Sequence, residues 1–282
     1  MVMMVVISIL PYVAIALVLV AAGLFALRRA YEGRIARIEQ ELLTAKGDER
    51  PFSAEMVAGL PEPAQRYLSH AIAQGTPLAA MVELEMTGSI RGNGAEAPWM
   101  PLEAGEIIAP SRGFVWRAQA HAGGMALAGA DYYFQRRGEL RFHLFGLIPV
   151  VRAGGPATSL SALGRLIGEV IWCPSALLLM DDIDWQALDS ERLRLTVKTD
   201  WDPQTLDLVL DPDGSLREVV VQRYDDGSRR PGQEYVPFGV EVDKERTFEG
   251  YTIPSDVRAG WLYGSEEYCE TLRLTIHEAK FR

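Results

Sequence analysis

The chain has 282 residues, 48 % of them hydrophobic and 23 % charged, a balance that belongs to a folded protein and excludes a disordered, collagen-like or disulfide-stapled one. A single opening apolar stretch excludes a polytopic transporter and leaves enough chain for one large β-rich domain or two small ones. Acidic residues outnumber basic ones by 38 to 28, which argues against nucleic acid as a partner, since its binders carry a basic footprint.

Residues 1 to 27 contain no charged side chain. At about 1.5 Å per residue, the part from Met4 to Leu27 is long enough to cross a hydrocarbon core of about 30 Å as a helix, so the reading is one transmembrane helix partnered by the bilayer. Pro11 is compatible with such a helix. A cleavable signal peptide is the rival reading, but it wants a basic opening, and this chain begins without Lys or Arg. Arg28, Arg29, Arg34 and Arg37 follow the apolar run, and the positive-inside bias then places the body in the cytoplasm, held to the cell membrane by a single pass. The strongly acidic remainder is expected to stand off anionic headgroups on its stalk.

Tyr31, Ile35, Ile38 and Leu42 are spaced four, three and four apart, one apolar stripe on a juxtamembrane helix. The stripe suits packing on the protein's own domain or on the headgroup layer, and is too short for a convincing coiled coil. Lys46 to Pro51 reads as a linker. The expected organisation is a membrane helix at 1–27, a stalk and linker at 28–50, and one β-rich domain at 51–282. That domain should open with a helical segment at 52–74, capped at Ser53 and broken at Gly59 and Pro61.

From about residue 80 the period changes to two. Val82, Leu84 and Met86 alternate with polar neighbours, as do Phe114, Trp116 and Ala118, then Leu193 to Val197, then Leu272 to Ile276. Leu206 to Leu210 and Leu216 to Tyr224 form a hairpin around Asp211-Pro-Asp-Gly214. The fold expected is mainly β, in the α+β class: a large curved antiparallel sheet or half-open barrel with helices on its concave side. The apolar segment Phe145 to Pro156, with Arg152 as its charge, either lines a pocket mouth or turns a corner.

A helical segment at 156–179 interrupts the strands. Leu160, Leu163, Ile167, Val170 and Ile171 share one side, and Cys173-Pro174 ends the run. Ser161, Arg165, Glu169 and Trp172 share the opposite face. Arg165 and Glu169 then form either a solvated pair of little energetic weight, in the weaker Arg-before-Glu order, or a buried pair inside the curved sheet with Trp172 lining a cavity.

Searches for catalytic spacing give mostly negatives: no Cys-x-x-Cys, no paired histidines, no Gly-x-Ser-x-Gly and no Gly-Lys-Ser/Thr. His70, His121, His143 and His277 are scattered and read as surface residues. Asp211-x-Asp213-Gly214 lacks the later ligands of a calcium loop and reads as a turn. Asp181, Asp182 and Asp184 have no partner cluster to complete a divalent site. No catalytic residue, metal ligand or cofactor is assigned, and Cys173 and Cys269 are left paired or free.

Pro63-Ala-Gln-Arg-Tyr-Leu68, Gly113-Phe-Val-Trp-Arg-Ala118, Gly146-Leu-Ile-Pro-Val-Val-Arg152 with Gly155-Pro156, and Arg165 with Glu169, Trp172, Pro174 and Ala176 together resemble an uncharacterised bacterial family of unknown function. The resemblance covers about residues 56 to 282. It implies a relation to the lipoprotein-carrier, LolA/LolB-like, curved-sheet fold, and through it an apolar cavity and a buried Arg165 helix, with no catalytic residue. Carriers of that type act outside the cytoplasmic membrane, whereas the arginine collar argues for inside.

The reading that follows is a membrane-tethered module binding a lipid or other apolar ligand, with Trp116, Arg152, Arg165, Glu169 and Trp172 at the cavity. The alternative is an interaction or scaffold protein that meets a protein partner through its acidic surface. A hydrolase using Arg165 and Glu169 as an acid-base pair ranks third.

Overall fold

The computed structural model describes residues 2 to 282 apart from Asn93, Ala95, Asp182, Asp200, 226–231 and Gln233, with side chains from Tyr12 onward except that of Ala122. Helix α1 (Val2–Leu42) is followed by strand β1 (Asp48–Pro51), a short 3-10 turn (Ala54–Met56) and α2 (Glu62–Ala71). Strand β2 (Pro77–Leu78) pairs with β1, so the segment read as a free linker is tied to the body.

Thirteen further strands make one antiparallel sheet. The first arm is a meander of β3 (Val82–Ile90), β4 (Met100–Ala109), β5 (Gly113–Ala122), β6 (Met125–Phe134), β7 (Arg137–Leu144) and β8 (Ile148–Gly154). The second contains β9 (Ile183–Ala187), β10 (Arg192–Val197), β11 (Gln204–Leu210), β12 (Leu216–Asp225), β13 (Glu234–Phe248), β14 (Tyr251–Trp261) and β15 (Cys269–Phe281). The arms join where β15 pairs with β3, Ile276 opposite Met86. Strands β8 and β9 are left as free edges, so the sheet is curved but not closed.

Between the arms the chain forms α3 (Pro156–Gly168), a 3-10 turn (Glu169–Trp172) and α4 (Ala176–Leu179). Pro156 at the first helical position suits α3, because an amide hydrogen there would have no helical partner. Helix α3 packs on β7 of one arm and β12 of the other, and the guanidinium of Arg136, on the β6–β7 turn, stacks 5.0 Å from the Trp201 ring of the far arm. The sheet therefore curls round the helix.

Two backbone approaches make this possible. A Cβ on Gly138 of β7 would lie 2.8 Å from the Ala162 Cβ and 2.9 Å from the Thr158 oxygen, and one on Gly164 of α3 would lie 3.0 Å from the Gln222 oxygen of β12. Side chains at either position would push the helix off a wall of the sheet.

The alternation of each strand sorts its residues between two cores. On the concave side Leu84, Met86, Phe114, Trp116, Leu193, Leu195, Leu206 and Leu208 meet Leu163, Leu166, Ile167, Val170 and Ile171. On the convex side Met81, Val115, Ala130 and Tyr132 meet the stripe Tyr31, Ile35, Ile38 and Leu42. The stalk helix thus packs on its own domain, and no free tether holds the body away from the end of the apolar run. Tyr31 donates to the Ala130 carbonyl at 3.1 Å, Arg34 to Glu139 at 2.9 Å, and Arg117 grips both Glu32 and Glu39. The residues from Tyr12 to Leu27 are mostly exposed, in a helix long and apolar enough to cross a membrane.

Candidate functional site

Glu106, Trp116 and Asp131 are direct cross-strand neighbours on β4, β5 and β6. Residues so paired point to one face of a sheet, and here that face is the concave one beneath α3. Arg165 comes down on this row from the helix. Its guanidinium donates to Glu106 at 2.7 Å, to Asp131 at 2.8 Å and to Glu169 at 2.5 Å. It lies 4.5 Å from the Phe114 ring centre and 5.0 Å from that of Trp116. Only 15 % of the Arg165 side chain and 1 % of that of Glu106 is exposed, so the pair read from the sequence is buried and is part of a network.

Arg165 contacts three carboxylates in this network, and Arg223 adds a second positive charge toward Asp131 and Glu169. Burial, aided by the neighbouring Glu169 carboxylate, pushes the Glu106 carboxyl well above the usual range despite Arg165. Burial also raises Asp131 and Glu169, against the pull of Arg165 and Arg223. One oxygen each of Glu106 and Glu169, and the Trp116 indole nitrogen, are buried without a hydrogen-bond partner. No group of three His, Cys, Asp or Glu that could hold a metal ion is found among the described residues. As chemistry, the network is an oriented charge cluster that fixes α3 to the first arm.

Three surface clefts form a series along the rim of that arm. The first, about 330 Å³, lies between α1 and the β7–β8 hairpin and is lined by Leu24, Leu27, Arg28, Tyr31, Arg141 and Arg152. It shares Arg34 with a larger cleft of about 840 Å³, lined by Arg37, Glu41, Phe134, Arg137 and Trp201. That one shares Glu41, Phe134, Gln135 and Arg136 with a third of about 520 Å³, which reaches Leu163, Leu166, Ile167 and Met180 beside α3. The series runs from the apolar part of α1 to the mouth of the concave side.

The model of a family of unknown function, DUF6544, matches residues 50–271. The chain belongs to this family. The matched region holds the whole ionic cluster and the β7–β8 hairpin, and leaves out α1, which supplies the other wall of the first cleft. No curated protein matches the chain. Among solved structures, a LolA superfamily protein from Nitrosomonas europaea is similar at 11 % identity over 78 % of this chain and 92 % of that one, with a TM-score of 0.44. A putative outer membrane lipoprotein-sorting protein domain from Vibrio parahaemolyticus is similar at 9 % identity over 72 % and 86 %, TM-score 0.39. A DUF1329 family protein from Desulfovibrio piger gives 10 % identity over 72 % and 86 %, TM-score 0.35. The first two carry in their descriptions the lipoprotein-carrier group that the sequence resemblance named.

Of the five residues expected at a cavity, Trp116, Arg165 and Glu169 meet in the buried cluster. Trp172 is buried separately, its indole donating to the Pro254 carbonyl at 3.1 Å, and Arg152 pairs across β7–β8 with Arg141 in the first cleft. Glu106 and Asp131 were not legible as partners, because a lone carboxylate inside a strand shows its direction only when the register is known. Asp181 and Asp184 are exposed and Asp182 lies outside the described residues. Asp211 to Gly214 is a turn, closed by the Gly214 amide on the Asp211 carbonyl at 2.9 Å. His143 is buried, contrary to its reading as a surface residue. Burial, with Arg28 and Arg141 nearby, lowers its pKa.

Proposed function

We propose that the protein is a membrane-tethered binding module for an amphipathic, anionic lipid, with α1 crossing the bilayer and the cleft series serving as the binding track. The arginines at 28, 29, 34 and 37 favour a body on the cytoplasmic side. The observation that carries the reading is the continuity of the three clefts. Leu24 and Leu27 at one end and Leu163, Leu166 and Ile167 at the other are apolar, and Arg34, Arg37, Arg136 and Arg137 lie between them. Such a lining suits an acyl chain at one end and an acidic headgroup along its length, and the volumes fall in the range of ligand sites.

Of the residues expected at the ligand, Trp116, Arg152, Arg165, Glu169 and Trp172, Arg152 lies on the proposed track, in the first cleft.

The test is organic extraction and native mass spectrometry of the full chain after extensive detergent washing. A stoichiometric acidic lipid in the wild type, lost in the double variant Arg37→Glu with Arg137→Glu, supports the track. Both residues are exposed, so the variant keeps its fold. A wild type that carries no lipid, or a double variant that retains the same lipid, overturns it.

A further inference from the structure

Four large apolar side chains stand exposed together on the β7–β8 hairpin: Phe145 at 64 %, Ile148 and Val150 at 49 % each, and Val151 at 41 %. On this body, outside α1, exposed large apolar residues are otherwise single ones such as Met56 and Met125 among the described residues. Strand β8 is also a free sheet edge, and natural edges are normally blunted by charge, not lined with Ile and Val.

The turn itself departs from its usual chemistry. Phe145 and Gly146 have φ of +48° and +67°, and the Leu147 amide donates to the Leu144 carbonyl at 3.1 Å. Positive φ at both central positions marks a type I′ turn, whose first central position ordinarily takes Asn, Asp or Gly. A bulky aromatic held in the left-handed region, at a tip where it touches solvent, is a costly choice with no packing to explain it.

The position of the tip supplies the explanation. A side chain on Gly146 would collide with the Arg28 guanidinium, so the tip sits beside the first charged residue after the apolar run of α1. Leu147 and Pro149 face Leu24 and Leu27 across the first cleft, and Arg28, Arg141 and Arg152 line it. The hairpin is thus level with the end of the apolar helix and bordered by cations at the depth where acidic headgroups would lie.

We infer that the β7–β8 hairpin is a second membrane contact, a wedge that inserts Phe145, Ile148, Val150 and Val151 into the interface of an anionic phospholipid bilayer next to α1. The inference rests on α1 crossing the bilayer and is independent of whether the cleft series holds a lipid. The wedge opens the first cleft toward the acyl region and fixes the body's tilt on its helix.

The test uses the full chain in phosphatidylcholine and phosphatidylglycerol vesicles whose acyl chains carry a spin label near the headgroup. In a Cys269→Ser background, where Cys173 is buried, an environment-sensitive fluorophore is placed at Val150→Cys, at Leu24→Cys in α1, and at Glu191→Cys on the exposed β9–β10 turn. Quenching of the first two several-fold above Glu191→Cys is the expected result. Quenching at Leu24→Cys with none at Val150→Cys overturns the wedge while leaving the membrane helix intact. Absence of quenching at both overturns the membrane reading on which the wedge rests.

Discussion

Arg165 on α3 donates to Glu106 on β4 at 2.7 Å across 59 positions of sequence, and this bond joins the inserted helix to the first arm of the sheet. Removing the arginine leaves Glu106, Asp131 and Glu169 facing one another in a poorly solvated site. Breaking a buried ion pair from one side costs about 3–5 kcal/mol. Arg165→Ala is therefore expected to lose about that much, seen as a large drop in the thermal midpoint of the detergent-solubilised full chain. A loss below 1 kcal/mol would place Arg165 in solvent.

Glu106 behaves differently because burial and the nearby Glu169 carboxylate push its carboxyl well above the usual range. A folded-state pKa raised above the unfolded value gives stability that is present below the unfolded pKa, near 4.3, and lost as pH rises through the folded value. Glu106→Gln supplies a permanently neutral group of the same shape. Its melting midpoint is expected to match or exceed that of the wild type at neutral pH, with the difference growing in the variant's favour as pH is raised. A variant that is destabilised most at high pH would show an ionised Glu106.

The strands with one wet face were legible in the sequence, and so were the α3 insertion and the stripe on α1, because each buries one face and keeps its period. Strand β14 is buried along nearly its whole length, so its pattern loses the alternation that marks β3 or β10. Strand β8 is exposed along its length and read as an apolar loop for the opposite reason. The cluster was half legible: Arg165 and Glu169 are four apart on one helix, whereas Glu106 and Asp131 enter through strand register, which no local pattern encodes.

The seat of α3 on Gly138 gives a packing prediction. The Gly138 amide donates to the Ser159 hydroxyl at 2.9 Å, and the helix backbone lies where a Cβ would go. Gly138→Ala is expected to cost about 1–3 kcal/mol, the usual penalty of overpacking. The same substitution at Gly59, where nothing lies within 4 Å of the added carbon, should leave the melt almost unchanged. Equal effects at the two sites would mean that α3 does not rest on β7.

His70 of α2 lies 2.6 Å from the Glu245 carboxylate of β13, and that hydrogen bond raises its pKa. For a histidine whose folded pKa is raised, the added stability is complete below the unfolded value of about 6.5 and disappears as pH climbs through the folded value. The gap in melting midpoint between wild type and His70→Gln should thus be widest near pH 5.5 and close toward pH 9. A gap that is flat across this range would mean that the imidazole is neutral in the bond.

The two cysteines are free in the structure, Cys173 buried and Cys269 partly exposed on β15. Burial pushes the Cys173 thiol up to about 12, so almost none of it is thiolate at neutral pH, and thiolate is the form that alkylates. Its sulfur also lies within reach of the Ala79 carbonyl, at 3.7 Å, inside the concave core. Iodoacetamide is expected to modify one site in the native protein, Cys269, and both after denaturation, and a reducing agent should leave the melting midpoint unchanged. Mass spectrometry of the native reaction reads the outcome directly: a second adduct at the rate of the first would show that the core beneath α3 opens to solvent. A melting midpoint that falls on reduction would show a disulfide.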